Sequence, residues 1–371
     1  MVEWKKLGEV FEIRNGYTPS KSHPEYWEGG TIPWFRMEDI RLHGRILSDS
    51  IQHITELGIK KSGLFPANSI IVATTATIGE HALLIADSLA NQQFTALTCR
   101  KSLKQSVIPR FAYYYFFLLD EWCKQHTNVS GFASVDMEGF KRFPFPIPSL
   151  EEQERIVGIL DTFTASIDNI KAQIEQRRKQ YEHYRNTLLT FNKDDDSVEW
   201  KTLGEVGDIS AGGDVPRNTI KETNPIENYC FPVYSNGKEN NSLYGYSTSY
   251  SIAKQAVTIS ARGTIGWHCV REAYFTPIIR LITVIPDEKL LSAKYLDYAL
   301  YVTRIGGDNG GIPQLTVPSI KNCEIPLPSL QEQQRIVSIL DTFEASINNL
   351  EAQLEQRQKQ YEYYREELLT F

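Results

Sequence analysis

Pro148–Phe191 reads PSLEEQERIVGILDTFTASIDNIKAQIEQRRKQYEHYRNTLLTF, and Pro328–Phe371 reads PSLQEQQRIVSILDTFEASINNLEAQLEQRQKQYEYYREELLTF. Aligned without a gap, 32 of 44 positions are identical. A repeat of this length governs the reading of everything else. In the first copy Ile156, Leu160, Phe163, Ile167, Ile170, Ile174, Arg177, Tyr181, Tyr184, Leu188 and Phe191 recur in alternating steps of four and three. The second copy repeats the ladder as Ile336, Leu340, Phe343, Ile347, Leu350, Leu354, Arg357, Tyr361, Tyr364, Leu368 and Phe371. A period of 3.5 held for about five heptads predicts a coiled-coil helix, about 60 Å long at 1.5 Å per residue. Each copy opens on a proline and a capping box, Ser149 with Glu152 and Ser329 with Glu332. An apolar seam of this length needs a partner, and two copies in one chain supply it. Arg177 and Arg357 break the seam at matching places, either as arginines whose stems pack while their heads reach water, or as devices that fix the register.

The duplication reaches beyond the helices. Val2–Val10 reads VEWKKLGEV and Val198–Val206 reads VEWKTLGEV. The expected order is a first α/β (α+β) domain over 1–147, a helix over 148–191, an acidic linker over 192–197, a second domain over 198–327 and a second helix over 328–371. The linker NKDDDS is too polar to join a core, and its shortness favours an antiparallel pairing with a pseudo-twofold arrangement. In the first domain, alternation and β-branched residues mark strands within 69–79 and 91–99, with a helix over 110–122. The matching stretches in the second are 228–238, 256–266 and 276–285, with a helix from about 293 to 304. Thr77-Ile78-Gly79 corresponds to Thr264-Ile265-Gly266. The aromatic run Tyr113–Phe117 could stack bases, but its helical setting reads as core.

Composition bounds the function. The 371 residues carry a formal charge of −7. Residues 1–147 hold 16 basic and 15 acidic groups and residues 197–327 hold 12 and 13, so both globular parts are near neutral. The deficit lies in Asp194–Asp196 and in the last helix, with four basic and eight acidic groups. Such a chain binds DNA weakly by charge alone, and a partner must supply much of the phosphate attraction. Five cysteines without a Cys-x-x-Cys pair argue against a zinc ribbon or a disulfide framework, and for a reducing cytosol. No apolar run is long enough to span a bilayer, and Met1-Val2-Glu3-Trp4 leads into a polar segment unlike a signal peptide. No catalytic constellation emerges: no Walker or dinucleotide loop, no metal spacing among the seven histidines, and only Asn224-Pro225-Ile226 near the form a base-flipping methyltransferase needs. Pro286-Asp287-Glu288-Lys289 reads as a turn. The chain is expected to be a binder and not an enzyme.

These residues resemble a family. An apolar-proline run ending at Ile147, and Ile325-Pro326-Leu327-Pro328 in the second copy, lead through Pro-Ser-Leu-x-Glu-Gln-x-x-Ile-Val-x-x-Leu-Asp into a long helix. With the Trp-x-x-Leu-Gly-Glu-Val openings at Trp4 and Trp200, the Thr-Ile-Gly turns and Gly310-Gly311-Ile312-Pro313-Gln314-Leu315, the chain is similar to the specificity (S) subunits of type I restriction-modification systems. The resemblance implies two target-recognition domains that each read half of a bipartite double-stranded DNA site. It implies an antiparallel coiled coil that sets the spacer and docks two methyltransferase (M) subunits, with restriction (R) subunits in the full complex. Cofactors are expected on those partners, as S-adenosylmethionine, ATP and magnesium, and none in this chain. The setting it implies is cytoplasmic. A scaffold with two binding heads and no DNA role is the alternative. No base-reading residue carries over from the family. From chemistry alone the candidates are Arg36, Arg41, Thr75 and Gln92 in the first domain, and Lys238, Arg262 and Gln314 in the second.

Overall fold

The structure, a computed structural model, describes residues 2–128, 133–193, 198–303, 305 and 314–371. The linker residues Asp194–Ser197 and the motif residues Gly310–Pro313 lie outside the described residues. The chain forms two compact units: Met1–Ile170 with Leu354–Phe371, and Lys171–Gln353.

In the first unit a five-stranded sheet runs in the order Phe11–Asn15, Phe94–Cys99, Ile70–Ala73, His81–Leu84, Ile46–Leu47. The helix Pro109–Gln125 covers one face of it. The other face packs against a three-stranded sheet, ordered His53–Ile54, Ile32–Phe35, Leu89–Ala90. The central strands are buried on both faces and, His81 apart, apolar: all four residues of Ile70–Ala73 and of His81–Leu84 are buried, the His81 ring with Asp120 and Tyr113 O as partners. Tyr113, Tyr114, Tyr115 and Phe116 are at most 7% exposed, so the aromatic run is core and offers no stacking platform.

The opening motif and the proline strand are two halves of one device. Glu3–Lys6 pairs antiparallel with Pro144–Ile147, and the prolines sit in a two-stranded ladder where their missing N–H groups cost nothing further. Leu7 and Val10 then bury completely in the short helix Leu7–Val10. The second unit repeats this with Glu199–Thr202 against Glu324–Leu327, and with Leu203 and Val206. Its sheets run Gly207–Ala211, Ile282–Pro286, Ala256–Ile259, His268–Arg271, and Thr219–Ile220, Leu243–Ser247, Phe231–Tyr234, Thr276–Pro277. The helix Ala293–Val302 covers the first of these sheets. The stretch 276–285 is not one strand. Ile279 and Arg280 take φ of 51° and 59°, a left-handed turn that ends one strand and starts another. Pro286 closes a strand, and Asp287 carries a turn through the Leu290 N–H to Asp287 carbonyl bond of 2.8 Å.

The long helices span Leu150–Leu189 and Leu330–Leu369. Ser149 Oγ and Ser329 Oγ each accept the N–H three residues on, at 3.3 Å. Only half of each capping box forms, because Glu152 and Glu332 turn outward to Arg155 and Arg335. Within the first unit the start of the first helix lies against the end of the second. Ile156, Leu160 and Leu369 are buried, Tyr361 and Leu368 pack beside them, and Phe163 stacks on Tyr364 at 5.2 Å. Within the second unit Ile336, Leu340 and Leu189 are buried, Tyr181, Leu188 and Phe191 flank them, and Tyr184 stacks on Phe343 at 5.2 Å. Starts meet ends, so the helices pair antiparallel. Ile167, Ile170, Ile174 and Ile347 are buried, while Leu350 and Leu354 are half-buried. Tyr184 and Tyr364 are 45% and 44% exposed and stack along the outer edge of the seam. Arg357 lies over the Phe163 ring at 5.6 Å and Arg177 over Phe343 at 5.7 Å, so both arginines stay on the seam by cation–π contact with their heads half in water.

Candidate nucleic-acid interface

In each unit three loops gather at one end of the sheets. In the first, Phe35 O accepts from Asn91 N–H at 3.0 Å, and Thr74 N–H donates to Gln93 O at 3.0 Å. These bonds bring the loops that follow Ile32–Phe35, Ile70–Ala73 and Leu89–Ala90 side by side. Arg36, Thr75 and Gln92 therefore share one neighbourhood. Arg41 joins it through a forked ion pair with Glu80, which ends the middle loop.

Each candidate has a local role as well. Arg36 precedes the helix Met37–His43, where its N–H is capped by Asp39 Oδ2 at 2.6 Å. Its guanidinium pairs with Glu38 at 2.6 Å and lies over Trp34, which leaves its Nε buried without a partner. Arg41 is 59% exposed, so its pair with Glu80 is worth at most about 1 kcal/mol and yields readily to a phosphate. Gln92 is exposed and accepts from Thr18 Oγ1 at 2.6 Å. Thr75 is half-buried and bridges to Ser134.

The second unit builds the same end differently. Asn236 stitches its loops together: Oδ1 accepts from Ala261 N–H at 2.8 Å, and Nδ2 donates to Ile279 O at 2.7 Å. Gly237 and Ser260 exchange further bonds of 3.2 and 3.3 Å. Lys238 and Arg262 are thereby neighbours on exposed loops, and Gln314 Oε1 accepts from the Arg262 guanidinium at 2.9 Å. All three candidates of this domain fall together.

Sequence reasoning passed over Asn236, which read as a turn residue, and over Ile279 and Arg280, which lay inside an expected strand. Ile279 and Arg280 are exposed, and Asn236 is half-buried, at the same edge. A break in alternation at Pro277-Ile278-Ile279-Arg280 is the signal that locates them. Among the described residues no group of three or more His, Cys, Asp or Glu could hold a metal ion, and no helix is long and apolar enough to cross a membrane. What these edges offer is hydrogen-bonding and cationic side chains on loops braced by a rigid sheet, the equipment of base and phosphate contacts.

The profile of the type I restriction modification DNA specificity domain matches residues 1–177 and 196–358. The specificity subunit of the type I restriction enzyme EcoprrI of Escherichia coli is 38% identical over 363 residues, covering 94% of this chain and 89% of that one. The crystal structure of a type I restriction-modification S subunit from M. genitalium superposes with a TM-score of 0.61 at 16% identity, over 100% of this chain and 96% of that one. A chain from a structural study of complex assembly and conformational transition in the type I R-M system gives 0.65 at 19% identity, over 99% and 96%. With the family profile matched twice and a 38%-identical specificity subunit covering 94% of it, the chain belongs to the type I restriction-modification DNA specificity family.

Proposed function

We propose that the chain is the DNA sequence-recognition subunit of a type I restriction-modification enzyme and supplies no chemistry of its own. The residues 1–147 and 198–327 each read one half of a bipartite, asymmetric double-stranded site. The helices 148–191 and 328–371, joined by the linker 192–197, set the spacer between the halves and dock two methyltransferase subunits. S-adenosylmethionine, and the ATP and magnesium of the restriction subunits, belong to those partners. The observation that carries the reading is that each unit gathers polar loops at the same end of the same fold, with different side chains on them. Two unlike heads on one frame suit two unlike half-sites. Near-neutral heads also suit a subunit whose partners provide phosphate attraction.

The test is genome-wide mapping of methylated adenines in a host carrying this chain with its methyltransferase, against the same host lacking this chain. A bipartite motif that disappears with the chain is expected. Unchanged methylation would move the scaffold reading ahead. Removing one facing heptad from each long helix shortens the helices by about 10 Å, roughly three base pairs. The mapped spacer should shorten accordingly or methylation should be lost. An unchanged motif would refute the role of the helices in spacing.

A further inference from the structure

One pair of positions carries different chemistry on corresponding backbone hydrogen bonds in the two units. Leu315 N–H donates to Ala261 O at 3.0 Å in the second unit, and Val135 N–H donates to Thr74 O at 2.9 Å in the first. The neighbouring positions therefore correspond: Gln314 with Ser134, and Arg262 with Thr75. The loops close alike, with Gly266 N–H on Ser260 O at 3.0 Å and Gly79 N–H on Ala73 O at 3.2 Å. Both turn through a left-handed residue just after the pair member, Gly263 at φ 69° and Ala76 at φ 63°. A non-glycine residue held there costs strain that the surrounding frame sustains.

On this frame Arg262 is exposed, and two of its nitrogens are already committed. Nε and Nη2 donate to Gln314 Oε1 at 3.2 and 2.9 Å. Gln314 thus occupies the side edge of the guanidinium and fixes its plane. The end edge, with parallel N–H groups on Nη1 and Nη2, is the one that matches O6 and N7 of guanine in the major groove. A fork oriented in advance loses less freedom on binding. Thr75 with Ser134 offers hydroxyls and a methyl group, which suit other base edges.

We infer that Arg262, positioned by Gln314, reads a guanine in the half-site of the second domain, and that Thr75 with Ser134 reads a different base from the corresponding place in the first. This rests on the DNA-recognition reading above. The test maps methylated adenines in hosts carrying the methyltransferase with the wild-type chain, Arg262→Lys, Gln314→Ala, Gln314→Glu, or the double exchange Thr75→Arg with Ser134→Gln. Lysine keeps the charge and loses the fork. Arg262→Lys should lower the preference for guanine at one position of one half-site by roughly 5- to 150-fold, leaving the other half-site and the spacer unchanged. Gln314→Ala should weaken the same position less, and Gln314→Glu, which keeps the acceptor, should preserve it. The double exchange should create a guanine preference in the other half-site, a gain that misfolding cannot mimic. The inference is overturned if Arg262→Lys leaves base preferences intact and only makes methylation more salt-sensitive, since Arg262 is then a phosphate contact. It is equally overturned if the double exchange transfers no preference. If the wild-type chain imposes no bipartite motif at all, the recognition reading itself has failed, and that is seen before any variant is compared.

Discussion

Replacing Gln153 by leucine should cost the first unit roughly 3 kcal/mol or more, a large share of the roughly 5–15 kcal/mol that holds a domain folded. Gln153 is fully buried at the start of the first long helix. Its Oε1 accepts from Ile108 N–H at 2.8 Å, and its Nε2 donates to Ser106 O at 2.8 Å and Pro148 O at 2.9 Å. Ile108 immediately precedes the helix Pro109–Gln125, so one side chain ties the start of the domain helix to the start of the long helix. Leucine fills the same space and leaves one N–H and two carbonyls bare, each unsatisfied group costing about 1–3 kcal/mol. Glutamate fares no better, because its carboxylate meets two carbonyls it cannot donate to. Alanine leaves room for water and should lose less. The second unit has the same clamp: Gln333 Oε1 accepts from Ser292 N–H at 3.0 Å, and Nε2 donates to Leu290 O and Pro328 O at 2.8 and 3.0 Å. Denaturant unfolding of wild type, Gln153→Leu and Gln153→Ala decides the matter. A leucine variant within 1 kcal/mol of wild type would show that water satisfies these groups and that the clamp is dispensable.

That clamp marks the boundary of what the sequence discloses. The repeat, the 3.5-residue seam and the proline strands are patterns with a period, and a period survives translation into structure because burial enforces it. Gln153 has no such signature. In the first turn of an amphipathic helix a glutamine reads as surface, and only the approach of Ser106 and Ile108, distant in sequence, makes it interior. The far end of the seam shows a second limit. The ladder runs through Leu188 and Leu368, yet Leu189 and Leu369 are the buried residues, at 2% and 1% exposure. A straight helix drifts about 20° per heptad from a 3.5 repeat. Four heptads from Leu160 accumulate nearly the angular step of one residue. The loops proposed to read DNA are the least legible part. Arg262 and Gln314 are separated by 52 positions, and each alone resembles a solvated turn residue. Their pairing depends on the Leu315–Ala261 bond, which no local pattern announces. Asn236 likewise does its work through Ala261 and Ile279, far along the chain.

Raising the pH above 10 should unfold the chain over a narrow range. Tyr113, Tyr114, Tyr115, Tyr295 and Tyr298 are all at most 7% exposed. Burial pushes every one of these phenols upward, Tyr113 and Tyr115 to about 12. Tyr114 and Tyr298 are held further by donating to the carboxylates of Asp161 and Asp341, bonds that a phenolate cannot make. An unfolded tyrosine ionises near pH 10. Below that pH both states keep the proton and these groups leave stability unchanged. Above it the unfolded chain releases protons that the folded chain retains, so stability falls as pH rises. Each buried tyrosine removes about 1.4 kcal/mol per pH unit until its own folded value is reached. In the first unit Tyr113 and Tyr115 alone then account for about 5 kcal/mol by pH 12 and Tyr114 adds to the same slope, while Tyr295 and Tyr298 act on the second unit. Against a marginal total, the midpoint should fall near pH 11 or a little above. Of the 19 tyrosines, the share of tyrosinate absorbance that belongs to these five should appear together with the loss of helical circular dichroism. Ionisation of all 19 tyrosines with the helix signal intact would mean that the buried five reach water without unfolding, and the packing of the helix Pro109–Gln125 against its sheet would then be looser than its burial indicates.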